Sequence, residues 1–194
     1  MKNKPQLWFI SDTHFGHENI IKYSKRPFKD TAEMDVHMIN LWNSRVQPED
    51  TVYHLGDFAL SGGKKCLPST FNRLNGNIVF IKGNHDKAEA LEDVTGQPLS
   101  SYLELYHKKQ MIVLCHYSLR VWNKAHRGAW HLFGHSHGAL NNLELGKSMD
   151  VGVDSLNSLG YDYGPISFDQ VKAHMDKQDF INVDHHHPDK IGNK

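Results

Sequence analysis

Seven side chains scattered along the chain, Asp12, His14, Asp57, Asn84, His116, His135 and His137, are of the types that bind divalent cations, and each follows a short apolar run. Leu7 to Ile10 leads into Asp12-Thr13-His14, and Val52 to Leu55 into Gly56-Asp57. Ile78 to Ile81 leads into Gly83-Asn84-His85-Asp86, Met111 to Cys115 into His116, and Leu132-Phe133 into Gly134-His135-Ser136-His137. Carboxylate, amide and imidazole groups without a thiolate suit manganese, iron, nickel, cobalt or zinc. Seven of them exceed what one tetrahedral zinc takes, so two divalent ions are expected. A carboxylate can offer one oxygen to each ion, and Asp57 is the expected bridge. Cys115 adjoins His116, but neighbouring strand residues face opposite ways, so its sulfur is expected in the core.

These groups can meet only if the apolar runs are strands of a sheet. Continuous apolar runs suit strands covered on both faces, and open α/β sheets place their sites at the C-terminal ends of such strands. Between the runs the pattern becomes helical. His17 to Tyr23 reads as a short helix broken at Arg26-Pro27. Asp30 with Glu33 opens a helix whose Met34, Met38, Leu41, Trp42 and Val46 recur at helical spacing, ending near Pro48. Lys64 to Leu74, Lys87 to Pro98 and Phe168 to Asp176 read as further helical segments, the first with Lys64, Lys65 and Arg73 on a solvated face. Tyr102 to Tyr106 and Met111 to Cys115 fit an antiparallel hairpin. A second hairpin around Asn141-Asn142 is expected to join the strand from Trp130 to Phe133 to the region Met149 to Val153. Early strands alternate with helices and late strands pair locally, which suits a mixed sheet system.

The chain has 194 residues, enough for one domain with a sizeable core, expected over residues 1–184 with a loosely held tail over 185–194. Lys plus Arg and Asp plus Glu are 22 each, so bulk charge gives no argument for a nucleic-acid polymer or a membrane as partner. Two cysteines without paired spacing fit a reduced compartment. The N-terminal apolar run is too short for a signal peptide, and no run approaches the ~18 residues of a membrane span. A cytoplasmic protein is the resulting expectation. The 15 histidines are the compositional oddity. His54 and His131 fall inside strands and read as hydrogen-bonded core histidines, whereas His185-His186-His187 near the tail could take up metal adventitiously.

In order and in full, Asp12-x-His14, Gly56-Asp57, Gly83-Asn84-His85-Asp86, His116 and Gly134-His135-x-His137 resemble the motifs of the calcineurin-like metallophosphoesterases. The stretch Asp12-Thr13-His14-Phe15-Gly16-His17 and the pair Val153-Asp154 resemble the small uncapped bacterial and phage members. The resemblance implies an α/β (α+β) fold, a four-layer αββα sandwich of two mixed β-sheets flanked by helices. It implies one ion held by Asp12, His14, Asp57 and His137, and another by Asp57, Asn84, His116 and His135, manganese being the expected metal. Two such ions clamp a phosphoryl group and make hydroxide available for in-line attack. His85 is then expected to give a proton to the leaving oxygen, with Asp86 holding its ring. His17, Arg26, Tyr117 and Arg127 are candidate substrate contacts, although an ordinary ion pair suits Arg26 better. Small or cyclic nucleotide-type phosphodiesters are the favoured substrates, since no insertion is long enough for a cap and few cations flank the motifs. The alternatives are a phosphomonoesterase or protein phosphatase, and a non-catalytic scaffold of the same fold.

Overall fold

The computed structural model describes residues 4–59 and 66–181, the side chain of Cys66 excepted. Residues 60–65 and the tail, with Lys64, Lys65 and the triple histidine, lie outside it. Three strands in parallel, β1 (Leu7–Ile10), β2 (Thr51–His54) and β3 (Asn77–Phe80), form one sheet. A two-residue strand, Ile166–Ser167, pairs antiparallel on the free side of β1. The second sheet runs β4 (Tyr102–His107), β5 (Gln110–Cys115), β6 (Trp130–Phe133), β7 (Ser148–Asp150), the two-residue strand becoming β8 in chain order. Its first pair is antiparallel and the other two are parallel. Both sheets are therefore mixed, as expected.

Strand alternation decides what each residue covers. Trp8 and Ile10 enter a core with Val52, Ile78 and Phe80 beneath the helices α1 (Glu18–Tyr23), α2 (Thr31–Arg45), α3 (Cys66–Phe71) and α4 (Ala88–Thr95). Phe9 points the other way and joins Leu55, Ile81, Ile112, Leu114 and Leu132 between the sheets. The helices α5 (Val153–Ser158) and α6 (Phe168–Met175) add Leu156, Val171 and Met175 to that same core. On the far face of the second sheet, Met111 and Val113 are covered by Leu119, Trp122 and Ala129 of a loop. Continuous apolar runs thus reflect burial on two faces.

Local signals behave as the residues suggest. Asp30 caps α2 by accepting the Glu33 N–H, and α2 ends at Arg45, ahead of Pro48. Lys108 and Lys109 both have positive φ and close the β4–β5 hairpin in two residues, the handedness that tight hairpins need. Two expectations fail. No hairpin at Asn141-Asn142 joins β6 to β7, because these strands are parallel and residues 134–147 form a crossover. The expected strand through Val153 stops at Asp150, and Val153 opens α5. Among the described residues no helix is long and apolar enough to cross a membrane.

His54 and His131 are buried core histidines. His131 Nδ1 donates to the Val113 carbonyl (3.2 Å) and Nε2 accepts the Leu119 N–H (3.0 Å), a pattern only the neutral ring can make. Burial pushes its pKa from 6.5 down to about 4. The unfolded chain would take up a proton near pH 6.5 that the folded chain resists down to about 4. The stability gained is therefore full above the unfolded value and lost as pH falls across that window, by roughly 3 kcal/mol. Denaturant titrations between pH 7 and 4 should show a slope to which buried His54 and His14 also contribute, and His131→Gln should make it shallower; an unchanged slope would remove His131 as a source.

Candidate metal centre

Backbone bonds pair four of the five ligand-bearing loops. Asp12 N–H donates to the Gly56 carbonyl (3.0 Å), His14 N–H to Asp57 (3.0 Å), Gly134 N–H to His116 (2.9 Å), and Ser11 N–H to Val151 (3.0 Å). The approach is close enough to exclude side chains at two glycines. A Cβ on Gly83 would lie 2.2 Å from Asp57 Oδ1, and one on Gly134 would lie 2.3 Å from Asp12 Oδ2. Both glycines therefore let backbone reach a carboxylate, as well as permitting a turn. Asp12, His14, Asp57, His135 and His137 all have positive φ, which is uncommon for residues with a Cβ. Such strain gathers where function requires a particular geometry.

Six of the seven expected ligands converge in two groups, and Asn84 joins the second beside His116. Asp12, His14 and His137 form one and Asp57, His116 and His135 the other, each offering atoms within 4.8 Å of one another. Asp57 Oδ2 lies 3.7 Å from His14 Nε2 and 3.5 Å from His116 Nε2, so it faces both. Asp12 Oδ1 lies 4.0 Å from His137 Nε2. Ion–ligand bonds of ~2.0–2.2 Å leave neighbouring ligand atoms about 3–4 Å apart, so these spacings fit cations.

Orphaned atoms give a second test of fit. Asp12 Oδ1 and His14 Nε2 are buried without a hydrogen-bond partner. His116 Nδ1 lies 2.8 Å from the Leu55 carbonyl, which can only accept, so Nδ1 carries the hydrogen and Nε2 presents a lone pair. That lone pair sits 3.0 Å from Asn84 Oδ1, so two acceptors face one another with room for a cation between their lone pairs. His137 Nδ1 contacts Asp154 Oδ2 at 2.7 Å, leaving its Nε2 towards Asp12. Each is a ligand oriented from behind, the usual arrangement around a metal-binding histidine. Burial pushes Asp12 up to about 8, with nearby Asp150 adding to it while His137 opposes. Burial pushes His14 down to about 2, leaving a neutral ring. A cation placed here would invert the preference of Asp12 for a proton.

The supporting residues differ partly from expectation. Asp86 does not hold the His85 ring. Its Oδ2 accepts the N–H groups of Asp57 and Gly83 (both 2.8 Å) and its Oδ1 that of Phe58 (3.0 Å), so it pins two loops together. His85 is exposed, its ring 5.6 Å from that of His14, and its N–H donates to Asp57 Oδ1 (2.8 Å). His17 lies 5.5 Å from His14, ring to ring, and burial lowers its pKa. Arg26 is inside the protein. Its Nε and Nη2 donate to Asp154, and its Nη1 and Nη2 also donate to the Thr13 and Asp12 carbonyls (2.9 and 2.8 Å). The ion-pair reading of Arg26 thus holds over the substrate-contact reading. Burial disfavours charge on Asp154 and His137, yet their mutual bond outweighs it, lowering the Asp154 pKa and raising that of His137. Tyr117 rests against His135, whereas Arg127 is exposed on a 3-10 turn with no hydrogen bond to any ligand residue among those described.

Asp150 had no motif to reveal it. It is buried at the end of β7, accepting from Ser136 Oγ and from the N–H groups of Gly138 (3.0 Å) and Gly152 (2.7 Å), and so shapes the His135-x-His137 loop. The sequence before it, Lys147-Ser148-Met149, is no apolar run, so nothing local singled it out.

The chain is similar to known proteins in sequence and in fold. The model of the calcineurin-like phosphoesterase superfamily domain matches residues 6–150. Protein MJ1445 of Methanocaldococcus jannaschii, described as uncharacterized, is 34% identical over 180 residues, covering 89% of this chain and 92% of its own. The gene 66 protein of Mycobacterium phage D29 is 35% identical over 85 residues, 42% of this chain and 40% of that one. Among solved structures, the protein of unknown function AQ665 from Aquifex aeolicus superposes with a TM-score of 0.70 at 25% identity. It covers 88% of this chain and 100% of its own.

Removing the Arg26 guanidinium would strand a buried carboxylate and two carbonyls. Arg26→Ala should cost roughly 3–5 kcal/mol in urea denaturation of the metal-free protein. A loss well under 1 kcal/mol would show that the tie to Asp154 is not structural.

Proposed function

This chain belongs to the calcineurin-like phosphoesterase superfamily, and from that premise we propose that it is a dinuclear metal-dependent phosphodiesterase for small or cyclic nucleotide-type substrates. Asp12, His14, Asp57 and His137 would hold one ion, and Asp57, Asn84, His116 and His135 the other, with manganese the expected occupant. Bound there, divalent ions supply Lewis acidity at the phosphoryl oxygens and bring the pKa of a water towards ~7. The observation that carries the dinuclear reading is Asp57 Oδ2, within 3.7 Å of His14 Nε2 and 3.5 Å of His116 Nε2.

The chain's own residues have distinct tasks in this reaction. Asp86 and Asp150 hold the loops, and Asp154 and the Leu55 carbonyl fix ring orientations at His137 and His116. His85, tied through its N–H to Asp57, delivers a proton to the leaving oxygen. The water oxygen bonds to phosphorus, the bond to the leaving group breaks, and the departing oxygen keeps the proton from His85. The proton lost by water passes to solvent, from which His85 is recharged. Diesters are favoured because Arg26, the guanidinium nearest the ligand loops, is committed to Asp154 and backbone and cannot help neutralise a monoester dianion.

Chelator-stripped protein reloaded with manganese should hydrolyse bis-p-nitrophenyl phosphate faster than p-nitrophenyl phosphate, and neither without metal. Asp57→Asn should lower bound metal and abolish turnover together. His85→Asn should reduce kcat by ~10²–10⁴-fold while bound metal, measured by atomic emission, stays at the unsubstituted level. An empty site in His85→Asn would refute its role as proton donor. Metal-independent silence towards both esters would favour a scaffold.

A further inference from the structure

Tyr117 takes no part in the reaction as drawn, yet it stands beside two ligands. Its ring centroid is 4.8 Å from His135 and 5.1 Å from His116, both edge-on, and the residue is 47% exposed. The segment that carries it is firm. Leu119 and Trp122 pack on Met111, Val113 and Ala129, the Leu119 N–H donates to His131 Nε2 (3.0 Å), and Trp122 Nε1 donates to the Ala129 carbonyl (2.9 Å). The Tyr102 and Tyr106 hydroxyls, elsewhere on the surface, are bonded to Glu104 and Lys124, whereas that of Tyr117 has no partner among the described residues. A half-exposed aromatic ring, carried on a packed segment, therefore stands at the edge of the Asp57, His116 and His135 group.

The other group has a different rim. His17 and His85 both stand against His14, at 5.5 and 5.6 Å between ring centroids, and the buried Nδ1 of His17 has no hydrogen-bond partner among the described residues. One side of the centre thus offers imidazoles and the other an aromatic face. A phosphodiester also has two unlike ends, a leaving alcohol that needs a proton and a substituent that stays on phosphorus. Imidazoles suit the first, which leaves the second for Tyr117.

We infer that Tyr117 is a subsite for a planar aromatic group, a nucleobase, on the substituent that remains bonded to phosphorus after hydrolysis. The inference rests on the phosphodiesterase reading and adds to it the place of the base and a choice of which ester bond breaks. Base–aromatic stacking is sequence-tolerant because every base has a π-face, so the subsite selects nucleotides without selecting one base.

Thymidine 5′-(p-nitrophenyl) phosphate and methyl p-nitrophenyl phosphate share a leaving group and differ only in the retained substituent. With manganese-loaded full-length protein, the ratio of kcat/KM for the thymidine ester to that for the methyl ester should fall about tenfold in Tyr117→Ala, through KM, and stay at the unsubstituted value in Tyr117→Phe. An unchanged ratio in Tyr117→Ala would overturn the subsite. So would an equal fall on both esters accompanied by loss of bound metal, which would mark Tyr117 as a support for His135. Silence of the unsubstituted protein towards both esters would instead remove the phosphodiesterase reading, and the subsite with it.

Discussion

One carboxylate oxygen, Asp57 Oδ2, faces histidines from both groups, and everything around it is arranged to keep it there. Its partner oxygen accepts the His85 N–H, so the carboxylate plane is fixed by backbone rather than by another charge. Around it Asp12, Asp86 and Asp150 are also buried. Burying acidic groups is costly unless each finds a compensating partner. Asp86 and Asp150 find theirs in amide N–H groups, and Asp154 in Arg26 and His137. Asp12 Oδ1 is the exception, and His14 Nε2 stands unpartnered beside it. Among these buried carboxylates the unmet demand lies where a cation fits.

Holding this geometry costs backbone energy as well. Left-handed conformations at five of the seven proposed ligand positions each cost on the order of 1–2 kcal/mol for a residue with a Cβ. They persist because the loops bond to one another and lie on strands packed on both faces, with Phe9, Leu55 and Leu132 between the sheets. The two sheets therefore do more than enclose a core. The first supplies Asp12, His14, Asp57 and Asn84, the second supplies His116, His135 and His137, and neither set makes a centre alone.

Much of this was legible in the residues. The apolar runs located β1, β2, β3, β5 and β6, and a ligand after each run located the centre. The failures have a common physical origin, which is that they depend on partners rather than on local pattern. Whether β7 meets β6 in parallel or antiparallel leaves no trace in residues 134–147, whose turn-forming composition serves a crossover as well as a hairpin. The two residues of β8 are too few to show a period. Asp86 looked like the companion of its neighbour His85, but its three N–H donors come from Asp57, Phe58 and Gly83, two of them in a distant loop. Asp150 resembles any acidic residue near a turn until the His135-x-His137 loop is seen folded over it.

Arg26 shows how the same physics sets chemical preference. A guanidinium with no exposed side-chain surface cannot reach a substrate, and its bonds to Asp154 and to the Asp12 and Thr13 carbonyls make it part of the frame. By that route it holds His137 indirectly, since Asp154 bonds both. In the proposed reaction the positive charge offered to phosphate must then come mainly from the cations. A monoanionic diester makes the smaller electrostatic demand on such a site. On that proposal, discrimination among diesters would fall to shape and to uncharged surfaces such as the ring of Tyr117, because the fixed charges of the centre already hold one another.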